Sequence, residues 1–522
     1  MASGNDPANI AYIIVENGFY YVAYKEKVKV PEVVVSDKGV ANGLSEEYND
    51  GWDFGPDSYD PTSTSNPPYT QTTGTQEALD YLVLGGEVKL LAGAFGLSVP
   101  VQWYKNTIPD NRTGAVDLPP ITISGVNMYP TNNVNDPSIT GTLIYPTSSF
   151  PSGEYMLQIN PFSTTVSTYA SSIAKSVIIK NISFNGAVNA TGNTQYASDI
   201  SGLAIDACTI EHVQSFFCVN SFNLQNVNGV GGNNNIIDCV VYSPATNGVY
   251  HSVGQSVIIG VMLYNGGTTN TTSAYAFTVL SNTMVIGCSV QNYAGNGYYL
   301  GTYVSVLSCS SATYTVGLNY FTVDGDYNVI TGNTFTAPVN GGSILYIISG
   351  SVNMYGNVIT LVKNIGYIVY RASTTIQKRS VIRNNTIHFN GYTYNPYPIG
   401  DKSNNGDTLY VMDNAGFNPT APFTVSAPSS GAVTQNNGQY DYVVSVPITF
   451  PTTADTAVTA YLRVGSSSTS GANPIVDQFS EPATLATANG RIWTLRGKVP
   501  VGQYYEIDVT NATIGTVQII PE

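Results

Sequence analysis

A short pattern of apolar and polar positions recurs through the middle of the chain. It is seen in the following four segments: NTMVIGCSVQN (282–292), DYNVITGNTF (326–335), VNMYGNVITL (352–361) and SVIRNNTIHFN (380–390). Each copy has an apolar residue, any residue, a small or polar residue, an Asn or Cys, any residue and a second apolar residue. We call the Asn or Cys the anchor of its copy. Such repetition indicates that one structural unit is built many times.

The anchors lie about 25 residues apart, a period typical of solenoid proteins. In the register that we assign, they are the following residues: Asn181, Cys208, Cys239, Val261, Cys288, Cys309, Asn333, Asn357 and Asn385. All nine residues three positions before an anchor are apolar, and so are seven of the nine residues two positions after it. Runs of β-branched residues between Gly and Asn predict that the repeated elements are strands.

Two inward-facing positions five residues apart predict a corner, because successive side chains of one strand alternate between its faces. Two strands that meet at a tight corner once per coil are typical of a parallel β-helix. The anchors would then stack as a structural ladder, in which Asn gains hydrogen bonds and Cys acts as a small buried apolar group. The predicted ladder contains Cys208, Cys239, Cys288, Cys309, Asn333, Asn357 and Asn385. The absence of a CxxC pair disfavours a zinc or redox site.

The repeat resembles the coil signature of a known superfamily. VITGNTF, MYGNVIT and VIRNNTI are similar to coils of pectate-lyase-like right-handed β-helix proteins. The segment TGTQEALDYLVLGGEVKLLAGAFGLS (73–98) resembles the entry of that superfamily, with a short helix, a Gly turn and a first strand. The resemblance covers roughly residues 73–415 and implies a right-handed parallel β-helix whose first helix covers the open end. Because the fold serves lyases, hydrolases, phage tailspikes and adhesins alike, it implies no single function.

The sequence predicts an all-β chain with five segments. These are an N-terminal β-hairpin module at 1–50, a linker rich in Pro, Asp, Ser and Thr at 51–74, a helical cap with the first coils at 75–160, the parallel β-helix at 161–417, and a C-terminal β-sandwich at 418–522. The linker sequence WDFGPD and the helical entry also resemble β-helix proteins of thermoacidophilic archaea and their viruses.

Charged residues are scarce and mostly acidic. They make up 10% of the chain, and the formal net charge is −15. No Lys or Arg occurs between Lys180 and Lys363, so nucleic acid is not an expected partner. Polarity in this segment comes from uncharged groups, whose protonation changes little with pH. Such groups suit an extracellular, acidic setting. We find no run of 18 apolar residues and no signal-peptide pattern. We therefore expect no membrane span. We expect the protein to reach the outside of the cell through virion assembly and lysis, or to have lost a leader sequence.

A glycoside hydrolase needs two carboxyl groups about 5–9 Å apart. Asp206 and Asp238 are expected at nearly the same place on successive coils, and Glu211 lies close by, so these three are the catalytic candidates. The alternative is that they are turn residues or solubilising charges. The lack of Lys and Arg in the central coils disfavours the lyase chemistry of the superfamily. Asp324 and Asp326 are either calcium ligands or an ordinary turn; apart from this structural calcium ion, no cofactor is expected.

Tyr side chains stack on sugar rings and donate hydrogen bonds from their hydroxyl groups. The glycan-binding candidates are therefore Tyr293, Tyr298, Tyr299, Tyr303, Tyr314 and Tyr320. The alternative is that these residues serve the fold as good strand formers.

We hypothesise that the chain is a viral tailspike or tail fibre, which attaches to a host cell by binding a surface glycan or glycoprotein. As resemblance to such fibres implies, it would be a homotrimer on the virion, bound to other virion proteins through its N-terminus. A polysaccharide-degrading β-helix enzyme and an extracellular surface adhesin are the alternatives.

Overall fold

The structure, a computed structural model, divides the chain into two compact units, Met1–Gly317 and Leu318–Glu522. It describes residues 10–16, 19–24, 32–36, 54, 71–82, 84–103, 118–128, 140–160, 173–227, 231–267, 274–312, 319–337, 342–362, 364–372, 378–388, 390, 399–401, 409–412, 414–415, 423–436, 441–451, 457–481, 490–500 and 502–521.

The described residues of the first unit form the α-helix α1 (Thr75–Tyr81), a 3₁₀ turn (Val188–Ala190) and many short strands. The strands are β1 (Ile10–Glu16), β2 (Phe19–Tyr24), β3 (Glu32–Val35), β4 (Gly86–Leu90), β5 (Gly93–Leu97), β6 (Val101–Trp103), β7 (Ile121–Ser124), β8 (Thr142–Pro146), β9 (Tyr155–Ile159), β10 (Ala174–Lys175), β11 (Val177–Lys180), β12 (Ser183–Asn185), β13 (Ser198–Leu203), β14 (Ile205–Asp206), β15 (Thr209–Glu211), β16 (Gln214–Phe216), β17 (Phe222–Gln225), β18 (Asn235–Ile237), β19 (Val240–Tyr242), β20 (Val249–His251), β21 (Ser256–Ile259), β22 (Met262–Tyr264), β23 (Tyr275–Ser281), β24 (Thr283–Ile286), β25 (Ser289–Gln291), β26 (Asn296–Thr302), β27 (Ser305–Leu307) and β28 (Ser310–Ala312).

The second unit begins with two strands of 13 residues each. Its described strands are β29 (Asn319–Thr331), β30 (Thr334–Ala337), β31 (Ser343–Tyr355), β32 (Val358–Leu361), β33 (Tyr367–Arg371), β34 (Ser380–Arg383), β35 (Thr386–His388), β36 (Ile399–Asp401), β37 (Leu409–Met412), β38 (Phe423–Val425), β39 (Val433–Gln435), β40 (Tyr442–Thr449), β41 (Val458–Gly465), β42 (Ile475–Glu481), β43 (Ile492–Val499), β44 (Tyr504–Thr510), β45 (Thr513–Ile514) and β46 (Val517–Pro521).

Three stacks of parallel strands form the coils of the first unit, and we call them the first, second and third faces. The first face runs β4, β7, β11, β15, β18, β21, β24, β27. The second runs β5, β8, β12, β16, β19, β22, β25, β28. The third runs β6, β9, β13, β17, β20, β23, β26. Each coil contributes one strand to each face, which is the right-handed parallel β-helix expected from the sequence.

In the second unit, β29 and β31 are each long enough to belong to two stacks of parallel strands. β31 pairs in parallel with β33 through its first half and with β34 through its second half. β30, β32 and β35 form a further parallel stack of this unit. The strands β38–β46 make two antiparallel sheets, whose buried residues Val444, Leu462, Leu495 and Ile507 belong to one apolar core. These sheets form the C-terminal β-sandwich.

The helix α1 packs on the first coil of the first unit. Its residues Ala78 and Leu79 are buried. The Gln76 side chain bonds the backbone of Gln102 on β6 in both directions, donating from Nε2 to the carbonyl oxygen at 3.0 Å and accepting from the N–H at 2.7 Å. These bonds occupy backbone groups of that strand that another chain could otherwise pair with.

The inward-facing residues stack in register along the coils. On the first face of the first unit they are Ile179, Ile210, Ile236, Ile258, Val285 and Val306, all of them buried. In the second unit the same column contains Ile330, Met354, Ile382 and Val411. Each column removes a continuous row of apolar side chains from water, which is the main force that holds the coils together.

The register that we assigned from the sequence was wrong in the first two coils. The corner residues there are Ile182 and Val213. The backbone N–H of the residue after Val213 donates to the carbonyl oxygen of Ile182, and the same kind of bond links Cys239 to Val213 and Val261 to Cys239. Asn181 instead holds the left-handed backbone of the corner, with φ 57°. Cys208 lies in a different column, where its N–H donates to Asn234 Oδ1 at 2.7 Å. The neighbouring Ile178 and Ile179 let the sequence pattern fit in either phase.

Candidate functional site

The three catalytic candidates all lie in the first unit, but the expected pairing of Asp206 with Asp238 was wrong. Asp206 ends β14 in register with Lys175, and its Oδ1 accepts a hydrogen bond of 3.3 Å from Asn233 Nδ2. Asp238 lies at the left-handed corner after β18, with φ 49°. Because Asp206 precedes the first-face strand of its coil and Asp238 follows one, the two carboxylates belong to different columns.

Asp238 is paired with a histidine instead. His212 occupies the same corner one coil earlier, and its Nε2 lies 4.0 Å from Asp238 Oδ2. Both side chains are more than half exposed, at 51% and 58%. Glu211 precedes His212 and lies in register with Lys180 and Ile237 on the neighbouring coils. The carboxylates therefore form an exposed acidic corner, and a catalytic role for them stays a prediction.

Asp324 and Asp326 of the second unit are engaged by protein groups. Ser349 Oγ donates to Asp324 Oδ1 at 2.8 Å, and Lys378 Nζ lies 2.6 Å from Asp326 Oδ2. In the part of the chain that the structure describes, no group of three or more His, Cys, Asp or Glu side chains is placed to hold a metal ion. A calcium site at this turn remains a prediction.

Three of the tyrosines expected to bind glycan are core residues, so that expectation was wrong for them. Tyr293 is 1% exposed, and its hydroxyl donates to the carbonyl oxygen of Thr246. Tyr298 faces inward and stacks on Phe277, with ring centroids 5.1 Å apart. Tyr320 stacks on Phe335 at 4.5 Å. Their rings are buried in the protein interior, where a glycan cannot contact them.

The other tyrosine candidates differ in position. Tyr303 is 56% exposed and occupies a left-handed corner. Tyr299 is half-buried on the outer side of β26, and its ring meets that of Tyr275 edge-on at 5.2 Å. Tyr314 lies outside the described residues. Only Tyr299 of the candidates described thus belongs to a row of outward-facing side chains on a sheet.

That row, which we call the outer ladder, follows the outside of the third face. It consists of Gln102, Gln158, Ser201, Asn223, Tyr250, Thr278 and Tyr299, each in register with the next. From Ser201 onward, the residues on either side along each strand face inward, as Phe222 and Leu224 do beside Asn223. Strand alternation therefore points the ladder outward.

Hydrogen bonds fix several amides of the outer ladder. Gln102 Nε2 donates to Gln158 Oε1 at 2.8 Å. Asn223 Nδ2 donates to the Tyr155 hydroxyl at 2.8 Å, and Asn223 Oδ1 accepts from Gln225 Nε2 at 2.9 Å. Gln102, Asn223, Tyr250 and Tyr299 are half-buried and present amide and phenol groups, whereas Gln158, Ser201 and Thr278 are buried between them. The two aromatic rings are separated by the small side chain of Thr278.

A second aromatic row lies on the second face. Phe216, Tyr242 and Tyr264 stack on one another, with ring centroids 5.2 and 5.1 Å apart and planes 7° and 15° from parallel. Stacking covers the faces of these rings with each other, which leaves mainly ring edges to a ligand. The outer ladder differs, because Tyr250 and Tyr299 are two coils apart.

The sequence contained a signal for the outer ladder that residue type alone does not give. Five of the seven third-face strands have an apolar residue on both sides of the ladder position, as in Phe222-Asn223-Leu224 and Phe277-Thr278-Val279, whereas Ser201 is followed by Gly202 and Tyr250 by His251. Aligning this second apolar pair in each coil would have placed Tyr250 and Thr278 beside Tyr299.

Comparison with known proteins gives similarity of fold. No family model matches the chain, and no curated protein matches it. ORF18 of Geobacillus virus E2 is 14% identical with a TM-score of 0.43, over 94% of this chain and 85% of that one. A tailspike protein of E. coli bacteriophage HK620 in complex with a hexasaccharide is 13% identical with a TM-score of 0.40, over 86% and 89%. The A-module of a mannuronan C-5 epimerase from Azotobacter vinelandii is 13% identical with a TM-score of 0.42, over 66% and 95%.

The strand pairing itself shows that the chain folds as a parallel β-helix. Within the described residues, no helix is long and apolar enough to cross a membrane.

Proposed function

We propose that the chain binds a glycan of a host-cell surface through its outer ladder and serves as the attachment spike or fibre of a virus. The observation that supports this proposal is the combination of amide and phenol groups in one outward row. Sugars are bound by hydrogen bonds to such groups and by stacking on aromatic rings. Adjacent coils are about 4.8 Å apart, so a sugar ring held between Tyr250 and Tyr299 would lie roughly 5 Å from each, a stacking distance.

The charge of the chain favours a neutral glycan. No Lys or Arg occurs between Lys180 and Lys363, so the coils that carry Asn223 to Tyr299 contain no Lys or Arg for a carboxylate or sulfate group. Recognition of acidic groups uses Arg or Lys because charge-assisted hydrogen bonds are about twice as strong as neutral ones. We therefore expect a neutral polysaccharide to compete for binding and a polyuronate not to compete.

The virion role extends this proposal to the rest of the chain. Residues 1–50 would contact other virion proteins, and the assembled spike would be a homotrimer, as in the fibres that the repeat resembles. A surface adhesin remains an alternative with the same ligand.

A glycoside hydrolase is the second candidate function. It is favoured by the exposed pair of His212 and Asp238 beside Glu211. The separation of Asp206 from Asp238 leaves Glu211 and Asp238 as the carboxylates to test, because a hydrolase needs a pair about 5–9 Å apart.

The proposal is tested by incubating the pure protein with envelopes of candidate acidophilic host cells at low pH. Protein that sediments with the envelopes and released reducing sugar are measured together. We expect sedimentation without sugar release. Release that disappears in Asp238→Asn would establish the hydrolase, whereas neither sedimentation nor release with any envelope would contradict both functions.

A further inference from the structure

An acidic side chain is fully buried inside the coils of the first unit. Asp199 is the second residue of β13 and is 0% exposed. It lies two residues before Ser201 of the outer ladder, on the same strand. Carboxyl groups are rarely buried unless they are paired, because the ionised form loses its hydration. The neighbours of Asp199 therefore decide which form it holds.

Those neighbours are small and neutral. Ser215, Cys218 and Ser221 are each 0% exposed and form a triangle of contacts, with Oγ–Sγ and Oγ–Oγ distances of 3.0, 3.0 and 3.1 Å. Ser215 and Cys218 lie beside the Asp199 carboxyl and lower its pKa by less than burial raises it. Within the described residues, however, neither carboxyl oxygen accepts a hydrogen bond of normal geometry. The three groups of the triangle hydrogen-bond one another, and their effect on the Asp199 pKa is smaller than that of burial.

No described group around this cluster is a cation. The titratable groups of this cluster are Asp199, Cys218, Tyr155, Glu154 and Tyr293. Burial raises the pKa of Tyr155 to about 12 and raises those of Cys218 and Tyr293 as well, which keeps all three neutral. An ionised Asp199 would have neither a counter-charge nor water, a costly state for a carboxylate.

We propose that the folded coils hold Asp199 as a neutral carboxylic acid, and that loss of its proton loosens the coils that carry the outer ladder. Two features relate this side chain to the ladder. The Tyr155 hydroxyl, close enough to sense the Asp199 charge, accepts the hydrogen bond from Asn223. Ser221 of the triangle lies two residues before Asn223. The proton on Asp199 is thus a structural part of this region, whichever ligand the ladder binds.

The direction of the pH effect follows from burial. Burial raises the pKa of Asp199 well above its ordinary value of about 4. The folded state therefore holds this proton more tightly than the unfolded state. The stabilisation is complete below about pH 4 and is lost as the pH rises through the folded-state pKa of Asp199. The unit is expected to be better suited to acid than to neutral solution on account of this residue.

Asp199→Asn tests the proposal, because an amide has the shape of the neutral acid and cannot ionise. The thermal midpoints of the full-length wild type and variant are compared between pH 3 and pH 8. We expect the variant to gain roughly 5 °C or more relative to the wild type as the pH rises. Asp206→Asn, which changes an exposed carboxyl of the same unit, is the matched control and should follow the wild type. A constant difference between Asp199→Asn and the wild type across the range would overturn the proposal.

A second measurement uses the wild type and does not depend on whether the variant folds. The infrared carbonyl band of a protonated carboxylic acid should persist at pH 7 in the native protein and disappear on unfolding. Absence of that band from the native protein at pH 7 would mean that Asp199 is ionised in the folded state, and the proposal would be wrong.

Discussion

The corner after the first face is built differently in the two units. In the first unit it contains the apolar residues Ile182, Val213 and Val261 and three cysteines, Cys239, Cys288 and Cys309, whose thiols approach carbonyl oxygens at 3.3–3.7 Å. In the second unit it contains Asn333, Asn357, Asn385 and Asn414. The Nδ2 groups of Asn333, Asn357 and Asn385 each donate to the Oδ1 of the next Asn of the stack at 2.8 Å, and the backbone N–H of each donates to the same oxygen at 3.0–3.1 Å.

The comparison shows which properties the two corners share and which property only one of them has. Both versions use a buried side chain that follows a residue with positive φ, such as Gly287 or Gly356. The Asn version also uses a second amide donor contact, since Asn357 Nδ2 lies 3.0 Å from the carbonyl oxygen of Ile330. The Cys version depends on packing, because a thiol is a weak donor. Burial after a left-handed residue is therefore the shared requirement, since the first unit also accepts Ile182 at this corner, and hydrogen bonding is an addition in the second unit.

The largest effect is expected at an inward position that both units share. Val285 is 0% exposed and Ile286 faces outward on the same strand. Val285→Asp should cost more than about 4 kcal/mol in the free energy of unfolding, because it buries an unpaired polar group among apolar ones. Ile286→Asp is the control and should cost much less. Urea denaturation followed by circular dichroism measures both, and equal costs would show that the register is wrong.

Breaking the Asn ladder should have the next largest effect. Asn357→Ala removes bonds to both neighbouring anchors and leaves buried partners such as Asn385 Oδ1 with fewer donors. Since each unsatisfied buried group costs about 1–3 kcal/mol, we expect a loss of about 4 kcal/mol. The exposed Asn353 on the same stretch provides the control Asn353→Ala, which should lie within about 0.5 kcal/mol of the wild type. A similar small loss for Asn357→Ala would remove the energetic difference between the two corners.

A buried histidine makes the first unit sensitive to acid. His251 is 0% exposed, and burial lowers its pKa to about 4. Its ordinary pKa is about 6.5, so its stabilising contribution is complete above that pH and is lost as the pH falls towards 4. At 1.36 kcal/mol per unit, the loss reaches about 3 kcal/mol. His251→Leu should abolish this part of the pH dependence in urea denaturation, and an unchanged slope between pH 7 and pH 4 would argue against it.

The smallest effect is expected at the cysteine corner. Cys288 is a free, buried thiol, and burial raises its pKa well above the ordinary value. Cys288→Ser should cost about 1 kcal/mol, because it exchanges a small apolar group for a hydroxyl with carbonyl oxygens nearby. Thermal denaturation in the presence and absence of a reducing agent checks this. A reductant-dependent midpoint in the wild type would show that the thiol has a role other than packing.

The repeat made the coils from Cys239 onward predictable, because nearly all the corner residues there are Asn or Cys, as the pattern requires. It failed in the two preceding coils, where the corner residues are Ile182 and Val213 and the nearby Asn181 and Cys208 matched the pattern instead. Tyr298 and Tyr299 show why the candidate site was harder to predict. They are identical in type and adjacent in sequence, yet one lies in the core and the other outside, and only strand pairing decides between them. Asp199 could not be predicted as buried, because an acidic residue in a strand is ordinarily placed on the surface.

The most direct test of the proposed role of the outer ladder is a binding titration. Neutral polysaccharide purified from host envelopes is titrated into the wild type, into the double variant Tyr250→Ala with Tyr299→Ala, and into Tyr303→Ala as an exposed control. We predict at least a tenfold loss of affinity in the double variant, since each lost stacking contact is worth about 1 kcal/mol or more, and no change in the control. Equal affinity in all three proteins, with the fold intact by circular dichroism, would contradict the assignment of glycan binding to this face.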